Sequence, residues 1–268
     1  MTTPTVAHKL FSATVARAET LNAHLSRLTF HANEFREHQL TGPDEFFGLL
    51  MPKPGHEFTA FNWEGSNIRA AVAALPEAQR PELRWYTIRQ HRPEQGEIDV
   101  DIVTHGDEGP GSSWVLQAQA EDSVGIFTCA ALWQANANDQ LLIADATAIP
   151  ALQHILEYLQ THAPERLATT NVIAVAPSAS TYEHTLHDWS QRVARFHFLQ
   201  STPEGQPESV IAVLDSWFNG AAKLPDYVWV SGERALTKQI RKYATQDWNL
   251  SPEQVTFVPY WILGQARP

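Results

Sequence analysis

Arg84, Tyr86 and Thr87 stand together in the run 84-RWYTIR-89, and their types suggest a chemistry before any fold is considered. A guanidinium pairs with phosphate in a fixed fork, a phenol ring offers its face to a flat heterocycle, and a hydroxyl beside it makes one directed hydrogen bond. The run is rich in β-branched and aromatic residues, so it reads as a strand with Tyr86 and Thr87 on opposite faces. A second run, 98-IDVDIVTHGDEGPGSSW-114, alternates Ile98, Val100 and Ile102 with Asp99 and Asp101. It then passes His105 into a turn made of Gly109, Pro110, Gly111, Ser112 and Ser113. Such a turn supplies backbone N–H groups and hydroxyls that hold an anion where a helix begins. Cation, ring, hydroxyl and anion-holding turn are together what a flavin dinucleotide needs: Arg84 for the pyrophosphate, Tyr86 against the isoalloxazine, Thr87 near its reactive nitrogen.

The R-x-Y-[ST]-[IV]-R strand, the I-D-V-D-x-V-x-H-G strand and the G-P-x-S-x-W turn, in this order between residues 84 and 114, resemble the flavin-binding half of the siderophore-interacting proteins. These are ferric-siderophore reductases of the ferredoxin-reductase-like superfamily. The resemblance implies FAD contacts from Arg84, Tyr86, Thr87, Ile88, Asp101, His105, Gly111, Ser112 and Ser113. It implies two domains of an all-β plus α/β class. An N-terminal antiparallel β-barrel binding FAD is expected over residues 1–135, and a C-terminal parallel-sheet α/β domain binding NADH or NADPH over 136–268. The implied activity is transfer of electrons from NAD(P)H through FAD to ferric iron in siderophore complexes, with release of Fe(II), which hard oxygen ligands hold less tightly.

Two junctions in the second half have a strand-turn-helix form. The block 144-ADATAIP-150 resembles the family's G-D-x-T-A-[LI]-P-A, which carries Asp145, Thr147, Ala148 and Pro150 over as nucleotide-binding positions, with Ala146 where a glutamate is common. The block 230-VSGERA-235 carries over Gly232 and Glu233. At the first block the alternative is an ordinary strand–turn–helix with Pro in the first helical turn, and at the second a generic strand end explains Gly232 equally well. Arg234, Lys238, Arg241 and Lys242 form a basic stripe at helical spacing, read either as a solvated face or as attraction for a nucleotide phosphate or an anionic chelate. The C-terminal 260-YWILG-264 resembles the family's Y-W-x-x-G, but Ile262 and Leu263 stand where a basic residue is usual. Substrate contacts are therefore expected from Lys238, Lys242 or Arg267 instead.

The elements that must position these groups follow from periodicity. Short apolar runs at 13–21, 25–30 and 46–52 read as strands, and 68-IRAAVAAL-75 as a short helix. A helix is expected over 112–120 and a strand at 123–127, with 134-QANANDQ-140 as the linker. Beyond it, strands are expected at 141–147, 171–176, 210–218, 227–232 and 255–264. A helix at 150–162 carries Leu152, Ile155, Leu156 and Leu159 on one face, and a polar helix covers 233–248.

Composition bounds the rest. The chain of 268 residues is 43% hydrophobic, enough for an ordinary buried core. Residues 1–20 contain no unbroken apolar stretch of signal-peptide length, so a soluble cytoplasmic protein is expected. The net charge of −11 argues against nucleic acid or an anionic membrane as partner, and a monomer is expected. Residues 1–150 carry 10 basic and 19 acidic side chains against 9 and 11 afterwards, which makes the second half the better host for an anionic nucleotide. The one cysteine, Cys129, has apolar neighbours and reads as a buried structural thiol. The 12 histidines complete no ligand pattern, so no metal site is expected; Asp99 and Asp101 read as a solvated face or as lining for the flavin. Two rival functions stay open: a general NAD(P)H:flavin or quinone-type reductase, and a non-catalytic ferric-chelate binding protein.

Overall fold

The computed structural model describes residues 8–63, 67–104, 110–178, 181–182 and 184–265, and the chain divides into two units, Met1–Ala131 and Leu132–Pro268. His105 and Arg267 lie outside the described residues.

In the first unit the alternating runs become β1 (Leu10–Asn22), β2 (Leu25–His31), β3 (Phe46–Met51), β4 (Glu82–Thr87), β5 (Gln90–Arg92), β6 (Glu97–Val103) and β7 (Ser123–Thr128). They form one antiparallel sheet in the order β4-β3-β7-β1-β2-β6-β5. Short helices α1 (Glu34–Glu37), α2 (Ile68–Ala74) and α3 (Pro110–Gln117) accompany it. One face buries Val15, Leu28, Phe30, Leu49, Ile98, Val100 and Ile126 in a single apolar cluster. The other face, through Leu50, Phe127 and Cys129, is covered by α2 and by Phe58, Phe61 and Trp63.

The expected barrel is not closed. Among the described residues no ladder joins the edge strands β4 and β5. They are consecutive in the chain, linked only by Ile88 and Arg89, whose amides are donated to Glu45 O at 2.9 Å and Asp99 O at 2.8 Å. These bonds tie the link to the residue before β3 and to β6, so the chain passes from one edge strand to the other without a β4–β5 ladder. The solvated reading of Asp99 and Asp101 is also corrected, since both are buried. Asp99 accepts from Thr29 Oγ1 and from both terminal nitrogens of Arg92, and Asp101 accepts from Arg27 Nε at 2.6 Å and Nη2 at 2.8 Å. Burying carboxylates is costly, and forked guanidinium pairing offsets it.

The second unit is a parallel sheet of β8 (Gln140–Asp145), β9 (Thr170–Ala176), β10 (Arg195–Gln200), β11 (Tyr227–Glu233) and β12 (Val255–Trp261), in the order β10-β9-β8-β11-β12. Helices α4 (Ile149–His162), α5 (Gln206–Phe218) and α6 (Arg234–Gln246) return the chain to its starting edge. The strand order reverses at β8, so the topological switch point lies between β8 and β11. The expected strand at 210–218 is instead the body of α5, with Val210, Leu214 and Phe218 buried at helical spacing. The fifth strand is β10, an edge strand that the sequence reading passed over.

Candidate functional site

The blocks around Arg84 and Gly111, remote in sequence, meet in space. On β4, Arg84 pairs with Leu49 of β3 and Tyr86 with Phe47, so the two side chains share one face, while Leu83 and Trp85 turn to the other. Tyr86 packs partly buried against the main apolar cluster together with Trp114 of α3. Gly111, in the first turn of α3, lies over both: a Cβ there would fall 3.2 Å from Arg84 Cγ, 3.5 Å from Arg84 Nε and 3.5 Å from the Tyr86 hydroxyl. The space beside the guanidinium and phenol is thus kept open by the missing side chain. Ser112 and Ser113 follow, both half-buried.

Arg84 Nη1 donates to Leu83 O at 2.9 Å and pairs with Glu82, and its Nε and Nη2 have no hydrogen-bond partner among the described residues. Burial pushes the Tyr86 phenol up to about 12, with Arg84 opposing and Glu82 adding to the shift, so it stays a neutral donor. A partly exposed guanidinium, a neutral phenol, two hydroxyls and the amides of a helix start are the donor set that a dinucleotide pyrophosphate and an aromatic ring system require. The residues present therefore fit FAD. Thr87 is buried on the opposite face from Tyr86, and Ile88 packs into the apolar cluster. Asp101 is held by Arg27 and lies 3.8 Å from Arg89, so within this face it orders the β2 and β6 strands.

At the carboxyl edge of the parallel sheet the sequence-derived residues converge on Asp145, which is 1% exposed. Its Oδ1 accepts from Thr147 N at 2.8 Å, Thr147 Oγ1 at 2.6 Å and Ala148 N at 3.3 Å. Its Oδ2 accepts from Glu233 N at 2.7 Å and Trp261 Nε1 at 2.8 Å. Burial pushes the Asp145 carboxyl above the usual range, against the pull of these donors. Gly232 adopts φ +137°, and a Cβ there would fall 2.3 Å from Asp145 Cγ, so glycine is required both by backbone and by space. Glu233 caps α6 through Ala235 N and Leu236 N, and its Oε1 accepts from Leu263 N at 3.1 Å. Asp145 and Glu233 thus hold the ends of β8, β11 and β12 and the 260–263 segment together. Pro150 sits in the first turn of α4, and Ala148 is fully buried beside it.

Sequence reasoning identified these positions but not this scaffolding role; the signal was the spacing Asp145-x-Thr147 of a side chain capping its own following turn. It also missed Trp261 as a partner of Asp145. Lys238 and Lys242 are exposed on α6 and make no ion pair among the described residues, while Arg241 stacks over Phe257 at 4.3 Å.

Both halves of the chain are similar to known proteins. A family model described as the siderophore-interacting FAD-binding domain matches residues 14–131, and one described as siderophore-interacting protein matches residues 137–264. The chain is 25% identical over 207 residues to the ferric vibriobactin reductase ViuB of Vibrio cholerae, covering 74% of this chain and 71% of that one. It is 25% identical to a ferric acinetobactin reductase of Acinetobacter baumannii, covering 75% and 68%. The crystal structure of the siderophore-interacting protein SipS from Aeromonas hydrophila superposes with a TM-score of 0.73 at 24% identity, over 97% of this chain and 94% of that one. With both of its halves matched in order and a flavin-shaped set of donors in the first, the chain belongs to the siderophore-interacting protein family.

Proposed function

We propose that this protein is an FAD-dependent reductase that takes electrons from a reduced nicotinamide nucleotide and delivers them to ferric iron held in a siderophore. The observation that carries the proposal is the meeting of Arg84, Tyr86 and the glycine start of α3, within a chain whose curated relatives are named ferric-siderophore reductases.

In this reading the unit Met1–Ala131 holds FAD and the unit Leu132–Pro268 receives the nucleotide. Arg84 pairs with the pyrophosphate through its Nε and Nη2 donors, and the α3 amides with Ser112 and Ser113 complete the anion site. Tyr86 lies against the flavin ring. The chemistry supplied by bound FAD is two-electron uptake from the nicotinamide and one-electron release to Fe(III). No side chain needs to act as acid or base toward the chelate; the chain's task is to bind, orient and keep water from the reduced centre. At the second site, the Asp145 and Glu233 scaffold shapes the crevice outside the ends of β8 and β11, where an open α/β sheet receives its ligand. Lys238 and Lys242 are exposed cations available to an anionic chelate.

Leu263, 41% exposed beside Ile262, favours a second reading in which the acceptor is apolar and quinone-like. One experiment separates the two. The as-purified protein is reduced anaerobically with excess nicotinamide nucleotide and mixed in stopped flow with a ferric hydroxamate, a ferric catecholate or a soluble benzoquinone. The proposal expects reoxidation by a ferric chelate with Fe(II) trapped by ferrozine. Reoxidation by the quinone alone would contradict it.

A further inference from the structure

We infer that the hydride donor is NADH and that the protein discriminates against NADPH at the loops leaving β9 and β10. The inference rests on the reductase reading above and concerns its nucleotide site.

NADPH differs from NADH by a phosphate on the adenosine ribose, and sites that accept it set a cation against that phosphate, whereas sites for NADH offer a carboxylate to the free hydroxyl. In a sheet of this topology the nucleotide lies across the switch point between β8 and β11. Its adenosine end reaches toward the loop leaving the second strand of the series, here β9, with β10 beyond it. The segment that leaves β9, residues 177–191, contains no Lys or Arg; its Asp188 is exposed, and its Glu183 lies outside the described residues. The segment that leaves β10, residues 201–209, contains no Lys or Arg either and carries Glu204 and Glu208. Glu204 and Glu208 are exposed.

Among the described residues, Arg192, Arg195 and Lys223 on this side of the unit lie at the opposite edge. Helices α4 and α5 begin at the carboxyl edge of the sheet and end at its amino edge, so their last turns mark the far side. Arg192 donates to Gln160 Oε1 in the last turn of α4 at 3.0 Å, and Arg195 donates to Trp217 O at the end of α5 at 2.8 Å while stacking over Phe218 at 5.1 Å. Lys223 pairs with Asp139, the residue before β8 begins. Arg234 and Lys238 do lie at the carboxyl end, but on α6, across the switch point from the loops that leave β9 and β10. A 2′-phosphate beyond β10 would therefore meet the exposed carboxylates of Glu204 and Glu208, and neither adenosine-side loop offers it a guanidinium or ammonium.

The test is equilibrium binding of NAD⁺ and NADP⁺, and of AMP and 2′-phospho-AMP, to the as-purified protein by calorimetry at low and high salt, alongside kcat/KM for NADH and NADPH. The expected result is a preference of roughly 10-fold or more for the unphosphorylated nucleotide in binding and in kcat/KM, the scale of one missing charge-assisted contact. High salt should narrow that preference by screening the carboxylates. Glu204→Arg should tighten NADP⁺ roughly 10-fold. Equal or tighter binding of NADP⁺ by the wild-type protein, or a Glu204→Arg variant indifferent to the phosphate, would overturn the inference and leave the reductase reading standing. Failure of both nucleotides to bind and to bleach the flavin would overturn the inference and the nicotinamide-donor reading together.

Discussion

The indole Nε1 of Trp261 donates to Oδ2 of Asp145 at 2.8 Å, across a strand that separates their own two strands in the sheet. Asp145 ends β8 and Trp261 ends β12; β11 runs between them and presents Gly232 at the crossing. The contact exists because Gly232 has no Cβ, which would stand 2.3 Å from the carboxyl carbon.

Gly232→Ala is accordingly expected to destabilise the second unit by about 3 kcal/mol or more, because it combines a backbone conformation closed to side chains with loss of a five-donor carboxylate site. Asp145→Asn, which turns an amide N–H₂ toward existing donors, is expected to cost about 2 kcal/mol. Urea unfolding followed by tryptophan fluorescence measures both, and a midpoint unchanged in either variant contradicts the scaffold role.

Gly111→Val fills the space beside Arg84 and the Tyr86 hydroxyl with a branched side chain. The expected outcome is loss of most of the FAD on purification with an unchanged far-ultraviolet spectrum, since Gly111 is in the first turn of the short helix α3 and not in a strand. Arg84→Ala is expected to lower FAD affinity roughly 10- to 100-fold, the worth of a charge-assisted phosphate contact. Dialysis against FAD of known concentration reads both, and normal retention in Arg84→Ala would remove the pyrophosphate role.

Acid should loosen the β5–β6 edge. Burial pushes the Asp99 carboxyl up, but the Arg92 fork and the Thr29 hydroxyl outweigh it and hold the carboxyl below its ordinary value; Glu97 is also lowered, burial again being outweighed by Arg17 and Arg92. A depressed folded value means that the contribution is present above the ordinary carboxylate range and is lost as pH falls through the lowered values. Arg92→Met is expected to cost about 1–2 kcal/mol at neutral pH and to flatten the decline of stability below about pH 4. A decline as steep as that of the wild-type protein would contradict the assignment.

Cys129 is buried, and burial, with Glu45 adding, pushes its thiol up to about 12. The native protein should therefore leave its one thiol unmodified by Ellman's reagent at pH 8 and release it on denaturation. Rapid native labelling would contradict the buried reading.

Much of this was legible before the structure, and the exceptions have physical causes. The β6 strand follows from alternation and β3 and β4 from apolar, β-branched and aromatic runs, while the proposed flavin residues rest on their types and order. The run 210-VIAVLDSWF-218 misleads because its β-branched residues favour a strand locally. Its fate is decided by Pro207 and Glu208 in the first turn and by the burial of Val210, Leu214 and Phe218 on one helical face. The strand β10 was passed over because an edge strand half-open to solvent keeps polar residues, here Arg195, His197 and Gln200, among its apolar ones. Asp145 and Glu233 were recognised as site positions, but no spacing rule predicts that their carboxylates serve neighbouring strands, since those partners are remote in sequence.

The account turns on FAD seated by Arg84, Tyr86 and the start of α3. The most direct measurement is the visible spectrum of the purified protein, with the cofactor released by heat and identified chromatographically. The account predicts flavin absorption bands and about one FAD per chain, restored on adding FAD to apo-protein. A colourless protein that takes up no FAD under those conditions would contradict it.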